Sequence, residues 1–228
     1  MSDSDPETAK RLAGESAARD VDDGSVVGLG TGSTAAHAIR ALGRRVDAGL
    51  DVRGIPTSYQ ARQRALEAGV PLTSLDQATP DVAIDGADQV ADGDLIKGGG
   101  AAHTREKVID AAADRFLVVV DPTKEATRLD RSVPVAVVPA ARPTVAAAIR
   151  EQGGDPALRE ARRKDGPVVT DGGNLVLDCD FGPIPDPGAR ATALSSVPGV
   201  VEHGLFVGLA DEIHVGEADV ETVTVRRP

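Results

Sequence analysis

The stretch SVVGLGTGSTAAHAIRALGRR (Ser25–Arg45) decides the architecture. Residues 25–30 are short and apolar, as a buried strand is, and residues 35–45 place Ala38, Ile39 and Leu42 at helical spacing. Between them lies a glycine turn, Gly30-Thr31-Gly32-Ser33-Thr34. A strand, a glycine turn and a helix in direct succession aim backbone N–H groups at one point, where anions bind. The turn is neither common nucleotide loop. Ser33 stands where the dinucleotide fingerprint needs its third glycine, and no Gly-Lys-Ser/Thr follows. Thr31, Ser33 and Thr34 add three hydroxyls, which suit a small phosphate monoester better than a pyrophosphate.

The alternation continues outward. A strand is predicted over 51–57, a helix over 59–68, a short strand over 70–75 and a strand over 81–84 that delivers Asp85 at its end. A helix over 104–113 and a strand over 116–120 follow, the latter ending at Asp121-Pro-Thr-Lys124; a helix over 6–19 precedes them all. This order predicts an α/β, doubly wound, mostly parallel sheet whose ligand sits at the carboxyl ends of the strands. The texture changes after Pro134, Pro139 and Pro143. Strands over 135–138, 158–163, 167–170, 174–179 and 199–205, with helices over 144–152 and 189–196, approximate the β-α-β-β-α-β ferredoxin-like order. The expected division is a catalytic domain over 1–130, to which the DEIHVG and VETVTV strands of 206–228 return, and a smaller α+β domain over 131–205.

Composition excludes several functions. A net charge of −11 argues against a nucleic-acid surface and suits solubility or adaptation to high salt. There is no apolar run long enough for a membrane span, and MSDSDPETAK does not read as a signal peptide. Cys179 alone forms no intrachain disulfide, and no Cys/His spacing suggests zinc. A cytoplasmic protein without membrane or nucleic-acid partners is expected. Aromatic residues are 2%, so Val, Leu, Ile and Ala must build the core.

The chemistry concentrates in AIDGADQVADGDLIKGGGAAHTREKV (Ala83–Val108). Asp85 and Asp88 flank Gly86-Ala87 at a strand end, where two carboxylates can share a proton or hold sugar hydroxyls. Asp92 and Asp94 raise the thought of a divalent metal, against which the charge of Lys97 speaks. Lys97, one of only five lysines, precedes Gly98-Gly99-Gly100. Three glycines are costly to order, and bare backbone beside an ammonium stabilises a developing oxyanion. Glu106 opens a helix, where the helix N-terminus favours its ionised form, as a base requires. Lys124, alone, reads as a surface residue within reach of a phosphate. His37 and His103 read as packing or surface residues, and Cys179 as a small strand residue.

Taken together, these blocks resemble ribose-5-phosphate isomerase of the A type. Gly30–His37 is similar to the family's phosphate-side loop, and Asp85-Gly-Ala-Asp88, Lys97–Gly100 and Thr104-Arg-Glu-Lys107 to its signature blocks. Asn174–Asp178, Pro198–Val201 and Gly204–Phe206 match later blocks, in order, over nearly the whole chain. The resemblance implies a Rossmann-like domain with a smaller ferredoxin-like one. It implies aldose–ketose isomerisation of ribose 5-phosphate to ribulose 5-phosphate without metal or organic cofactor, in a homodimer or homotetramer. Glu106 would be the base, and Asp85, Asp88 and Lys97 would open the ring and stabilise charge. Thr31, Gly32, Ser33, Thr34 and Lys124 would hold the substrate, with Gly86, Ala87, Gly98, Gly99 and Gly100 lining its site. Gln89 departs from the family, which usually has an acid there at the pocket rim, and His103 replaces a usual apolar residue. A non-catalytic sugar-phosphate sensor on the same fold is the alternative, and a dinucleotide oxidoreductase is disfavoured by Ser33.

Overall fold

The computed structural model describes residues 6–217 and 222–228. The start of the N-terminal stretch and Val220-Glu221 of the last expected strand lie outside the described residues. The chain folds into two compact units, one from Met1–Ala87, Arg105–Glu125 and Leu209–Pro228, the other from Asp88–Thr104 and Ala126–Gly208.

The first unit is built on a six-stranded sheet ordered β13-β12-β6-β3-β1-β2. Its strands are β1 (Val26–Leu29), β2 (Arg53–Pro56), β3 (Val82–Gly86), β6 (Arg115–Val120), β12 (Glu212–Glu217) and β13 (Thr222–Arg226). All run parallel except β13, which pairs antiparallel with β12. The doubly wound, mostly parallel sheet expected from the sequence is present.

Two sets of side chains alternate along these strands. Val27, Leu29, Val82, Ile84, Leu117 and Val119 join one core with α1 (Pro6–Arg19), α2 (Ser33–Asp47) and α3 (Tyr59–Glu67). Ala9, Ala13 and Ala17 recur every four residues along α1 and are buried, so this helix lies close to its neighbours. On the opposite face, Val26 and Ile55 pack with Ile109 of α4 (His103–Asp110). Gly28 makes room for that helix: a methyl group there would lie 2.8 Å from Ile109 Cγ2 and 2.9 Å from Ala83 Cβ.

The second unit holds a four-stranded antiparallel sheet, β10-β7-β9-β8, with α5 (Arg142–Glu151) and α6 (Pro187–Ser195). Its strands are β7 (Val133–Val137), β8 (Asp155–Leu158), β9 (Leu175–Asp180) and β10 (Val200–His203). The chain order β7-α5-β8-β9-α6-β10 is ferredoxin-like. A three-stranded sheet, β11-β5-β4, completes this unit from β4 (Gln89–Ala91), β5 (Asp94–Ile96) and β11 (Leu205–Phe206).

Several local expectations are corrected. The 70–75 strand reduces to a single bridge between Gly54 and Leu72, because Pro71 has no N–H to extend a ladder. The 158–163 strand lies earlier, as β8, an edge strand that tolerates Pro156. The 167–170 strand is two isolated bridges. The 199–205 strand breaks at Gly204, so that β10 and β11 join different sheets. The β4–β5 hairpin was not foreseen. Asp92 and Gly93 turn it, both with positive φ (47° and 86°), as a two-residue hairpin requires. Asp94 Oδ1 accepts from Gly208 N–H at 3.0 Å. Asp92 thus turns the hairpin, and Asp94 ties it to the chain at Gly208.

Cys179 is fully buried in the second unit's core. Burial first, and then Asp178 and Asp155, push its thiol up to about 12. The native protein should therefore leave a thiol reagent such as dithionitrobenzoate unreacted, with one equivalent consumed in denaturant. Rapid reaction of the folded protein would contradict this placement.

Candidate active site

The first unit carries its candidate residues at the carboxyl edge of its sheet. Chain leaving β1 at Leu29 enters the turn Gly30–Gly32 and then α2. Gly30 N–H donates to Ile84 O at 2.9 Å, which ties the turn to β3. Asp85, the next residue of β3, is wholly buried and accepts from Thr31 N–H at 3.0 Å through Oδ1. Only glycine fits at position 30, since a methyl group there would approach Asp85 Oδ1 to 2.2 Å. Gly30→Ala should displace this carboxylate. We expect a loss of about 1–3 kcal/mol in denaturant unfolding, together with reduced turnover. Wild-type stability and activity would show that the fit is looser.

Thr31 also bonds sideways. Its Oγ1 lies 2.8 Å from Thr57 Oγ1 and donates to Ser58 Oγ at 2.7 Å. Ser58 then caps α3 by accepting from Ala61 N–H at 3.0 Å. The loop after β2 therefore braces the turn after β1. Gly32, at φ 115°, is the N-cap of α2 and gives no side-chain cap. Ser33 is exposed and Thr34 buried, so the first turn of α2 offers N–H groups and a hydroxyl at the surface.

Glu106 lies in the first turn of α4 and is 4% exposed. Ile109, three residues on, seats α4 against Gly28 of β1, so Glu106 rides the sheet-facing side of the helix. Because β6 begins at Arg115, five residues after α4 ends, the helix must run back along the sheet. Its N-terminal turn accordingly points toward the carboxyl edge. Asp85 shares the parity of Ala83 along β3, and Ala83 contacts Gly28 on the α4 face. Asp85 and Glu106 thus occupy one face and one edge of the sheet. Asp121, buried at the end of β6, accepts from Thr123 N–H at 3.0 Å and opens the short 3-10 turn Pro122–Lys124. This turn sets half-buried Lys124 on the same edge as Asp85.

The second unit carries its candidate residues in the loop Lys97–Gly100, after β5. Lys97 follows β5 and is 2% exposed, an unusual burial for an ammonium. Its backbone N–H donates to Gly204 O at 2.8 Å, and Nζ stands 5.2 Å from the centre of the Phe206 ring. Asp88 Oδ2 accepts from Gly99 N–H at 2.7 Å, and a methyl group on Gly99 would meet Asp88 Oδ1 at 2.6 Å. Gly98, at φ 105°, lies over the ring of fully buried His103. His103 is therefore a packing residue, and its solvent-facing alternative is excluded. Ala101 takes a left-handed conformation at φ 60°, and its N–H closes the turn onto Gly98 O at 2.9 Å.

Arg159 supports this glycine run. Its Nη1 donates to Gly98 O at 2.8 Å and Gly99 O at 3.1 Å. Nε and Nη2 grip the two oxygens of Asp178, with the Nε bond at 2.8 Å. A planar five-donor fork can serve all four acceptors, and an ammonium cannot. Arg159→Lys should keep the fold while lowering kcat/KM roughly tenfold or more through the loosened loop. An unchanged value would remove Arg159 from the site's support. Arg159 lies some sixty residues from Gly98 and Gly99 in sequence, and only Asp178, inside a family block, points toward it.

Gln89 does not serve a pocket rim, contrary to expectation. It is buried, donates to Asp130 Oδ1 at 2.6 Å and accepts from the N–H groups of Asp130 and Arg131 at 2.9 and 3.0 Å. An ionised carboxylate could not donate to Asp130, so the amide fits this turn where an acid would not. His37 is buried on α2 with Nε2 at 2.7 Å from Glu7 Oε1, away from the site.

The family model for ribose 5-phosphate isomerase A (phosphoriboisomerase A) matches residues 53–220. The chain is 68% identical over 217 residues to ribose-5-phosphate isomerase A of Haloarcula marismortui, covering 95% of each. It is 62% identical over 220 residues to that of Halobacterium salinarum, covering 96% of each. Among solved structures, the isomerase of Methanocaldococcus jannaschii superposes with TM-score 0.94 at 41% identity, over 98% of this chain and all of that one. A D-ribose-5-phosphate isomerase in complex with phospho-erythronic acid superposes with TM-score 0.95 at 40% identity and the same coverage. This chain belongs to the ribose 5-phosphate isomerase A family.

Proposed function

We propose that the protein interconverts D-ribose 5-phosphate and D-ribulose 5-phosphate by proton transfer. The observation that carries this reading is Glu106, a buried carboxylate in a helix's first turn, on the same sheet face and edge as Asp85. Isomerisation moves one hydrogen from C2 to C1. Glu106 takes the C2 proton, and the electron pair left behind forms the C1–C2 double bond of an enediolate as the C1 carbonyl oxygen gains charge. Glu106 then returns a proton to C1 while the O2 hydroxyl proton passes to O1, so that O2 becomes the ketone oxygen and O1 the hydroxyl of the ketose. Lys97 stabilises the developing oxyanion, and Asp85 and Asp88 exchange protons with sugar hydroxyls during ring opening. Thr31, Gly32, Ser33 and Thr34 take the phosphate at the α2 N-terminus, with Lys124 adding charge. Gly86, Ala87, Gly98, Gly99 and Gly100 keep backbone close to the sugar.

The ligand of the solved relative supports this reading chemically. Phospho-erythronic acid carries a carboxylate at the end remote from its phosphate, and two oxygens sharing negative charge there resemble an enediolate. By family likeness the protein works in the cytoplasm as a homodimer or homotetramer, with the small ferredoxin-like domain over 131–205. The described residues contain no helix long and apolar enough to cross a membrane. The acid excess, −11 over 228 residues, fits the salt-adapted sources of the Haloarcula and Halobacterium relatives. The direct test is ketose formation from ribose 5-phosphate after exhaustive chelation. Full activity is expected; abolition by chelator, restored by a divalent ion, would overturn the carboxylate mechanism.

A further inference from the structure

At the amino edge of the six-stranded sheet, opposite the edge that carries Asp85, three ligand-type side chains converge. Asp20 follows the last turn of α1, Glu212 opens β12, and His214 lies two residues further on the same side of that strand. One ligand atom from each falls within 4.8 Å of the others. His214 Nε2 stands 3.8 Å from Asp20 Oδ2 and 3.7 Å from Glu212 Oε2, beyond hydrogen-bonding distance of both.

His214 itself supplies an independent sign of a ligand. The residue is fully buried, and its Nε2 is buried without a hydrogen-bond partner. Its other nitrogen, Nδ1, lies 3.0 Å from Ser16 Oγ. When Nδ1–H donates to that hydroxyl, the Nε2 lone pair points at two carboxylates, the arrangement in which histidine binds metals. A buried polar atom left in this state is costly unless something fills the gap. We propose that Asp20, Glu212 and His214 hold one divalent cation of the zinc or cobalt type.

Imidazole with carboxylates suits such borderline ions better than calcium or magnesium. Bonds of about 2.0–2.1 Å put the ligand atoms of a tetrahedral ion about 3.4 Å apart, so only a small inward shift is needed. Asp20, whose side chain is 45% exposed, is free to make it. The C-terminal end of α1 adds partial negative charge. Burial lowers the imidazole's proton affinity, outweighing Asp20 and Glu212, with Arg115 and Arg19 acting in the same direction as burial. Arg115 and Arg227 engage Glu212 through Oε1, at 3.0 and 3.5 Å, and leave Oε2 toward His214. These guanidinium groups oppose a dication, so moderate affinity is expected. The ion would tie α1 to β12 and strengthen the fold, apart from catalysis.

Titration of the chelator-treated full chain with zinc chloride, followed by calorimetry, tests this. One equivalent should bind wild type and His37→Gln alike, and at least about tenfold more weakly to Asp20→Asn and His214→Gln. At the same zinc concentration the thermal midpoint should rise more in wild type than in Asp20→Asn. Asp20 is exposed, so its variant decides the matter even where His214→Gln fails to fold. No binding up to millimolar zinc, or binding indifferent to Asp20→Asn, would overturn the site.

Discussion

Glu106→Gln should bind sugar phosphate as wild type does and turn it over at least about a hundredfold more slowly. Gln keeps the shape and hydrogen-bonding reach of Glu but cannot take a carbon-bound proton at neutral pH. At this buried helix start the charge contributes up to about 2 kcal/mol through the helix dipole, less than the stability of a typical domain, so the variant should fold. Circular dichroism and the affinity for phospho-erythronic acid would establish that fold and pocket survive. The loss should fall on kcat, because the removed interaction exists only as the C2 proton leaves. A variant that keeps wild-type kcat would assign the proton transfer to another residue.

Lys97→Met should lower kcat by about 10²–10³-fold, the usual consequence of removing one oxyanion-stabilising group. Methionine matches the length of the lysine stem and suits the contact with Phe206, so packing at this 2% exposed position is conserved. What disappears is the charge, and the charge matters most when the sugar oxygen becomes an oxyanion. KM should change less than kcat. A variant with normal kcat would confine Lys97 to a structural role, anchored by its N–H to Gly204.

Much of this was legible because local chemistry and global fold agree. The β1–turn–α2 unit announces itself by an abrupt change of apolar period across glycines, and Gly30 sits where Asp85 leaves no room for a side chain. Asp85 and Glu106 could be named because strand ends and helix starts are visible in sequence. What stayed hidden depends on distant pairing. Arg159 meets Gly98 and Gly99 only once β8 has set the following chain beside the glycine run. Thr57 and Ser58 meet Thr31 only through the parallel pairing of β1 with β2. Asp20 and His214 are joined across nearly the whole chain. The Asp92-Gly93 hairpin is readable from its turn dipeptide, which suits a two-residue connection with positive φ at both positions. Gln89 looked like a lost charge until its amide was seen to close the turn at Asp130.

The most direct test of the account is turnover of ribose 5-phosphate in D2O, followed by proton NMR on the metal-free protein. Proton transfer through Glu106 predicts solvent deuterium at C1 of the ribulose 5-phosphate formed, and none in Glu106→Gln over the same period. Deuterium incorporation or turnover undiminished in Glu106→Gln would contradict it.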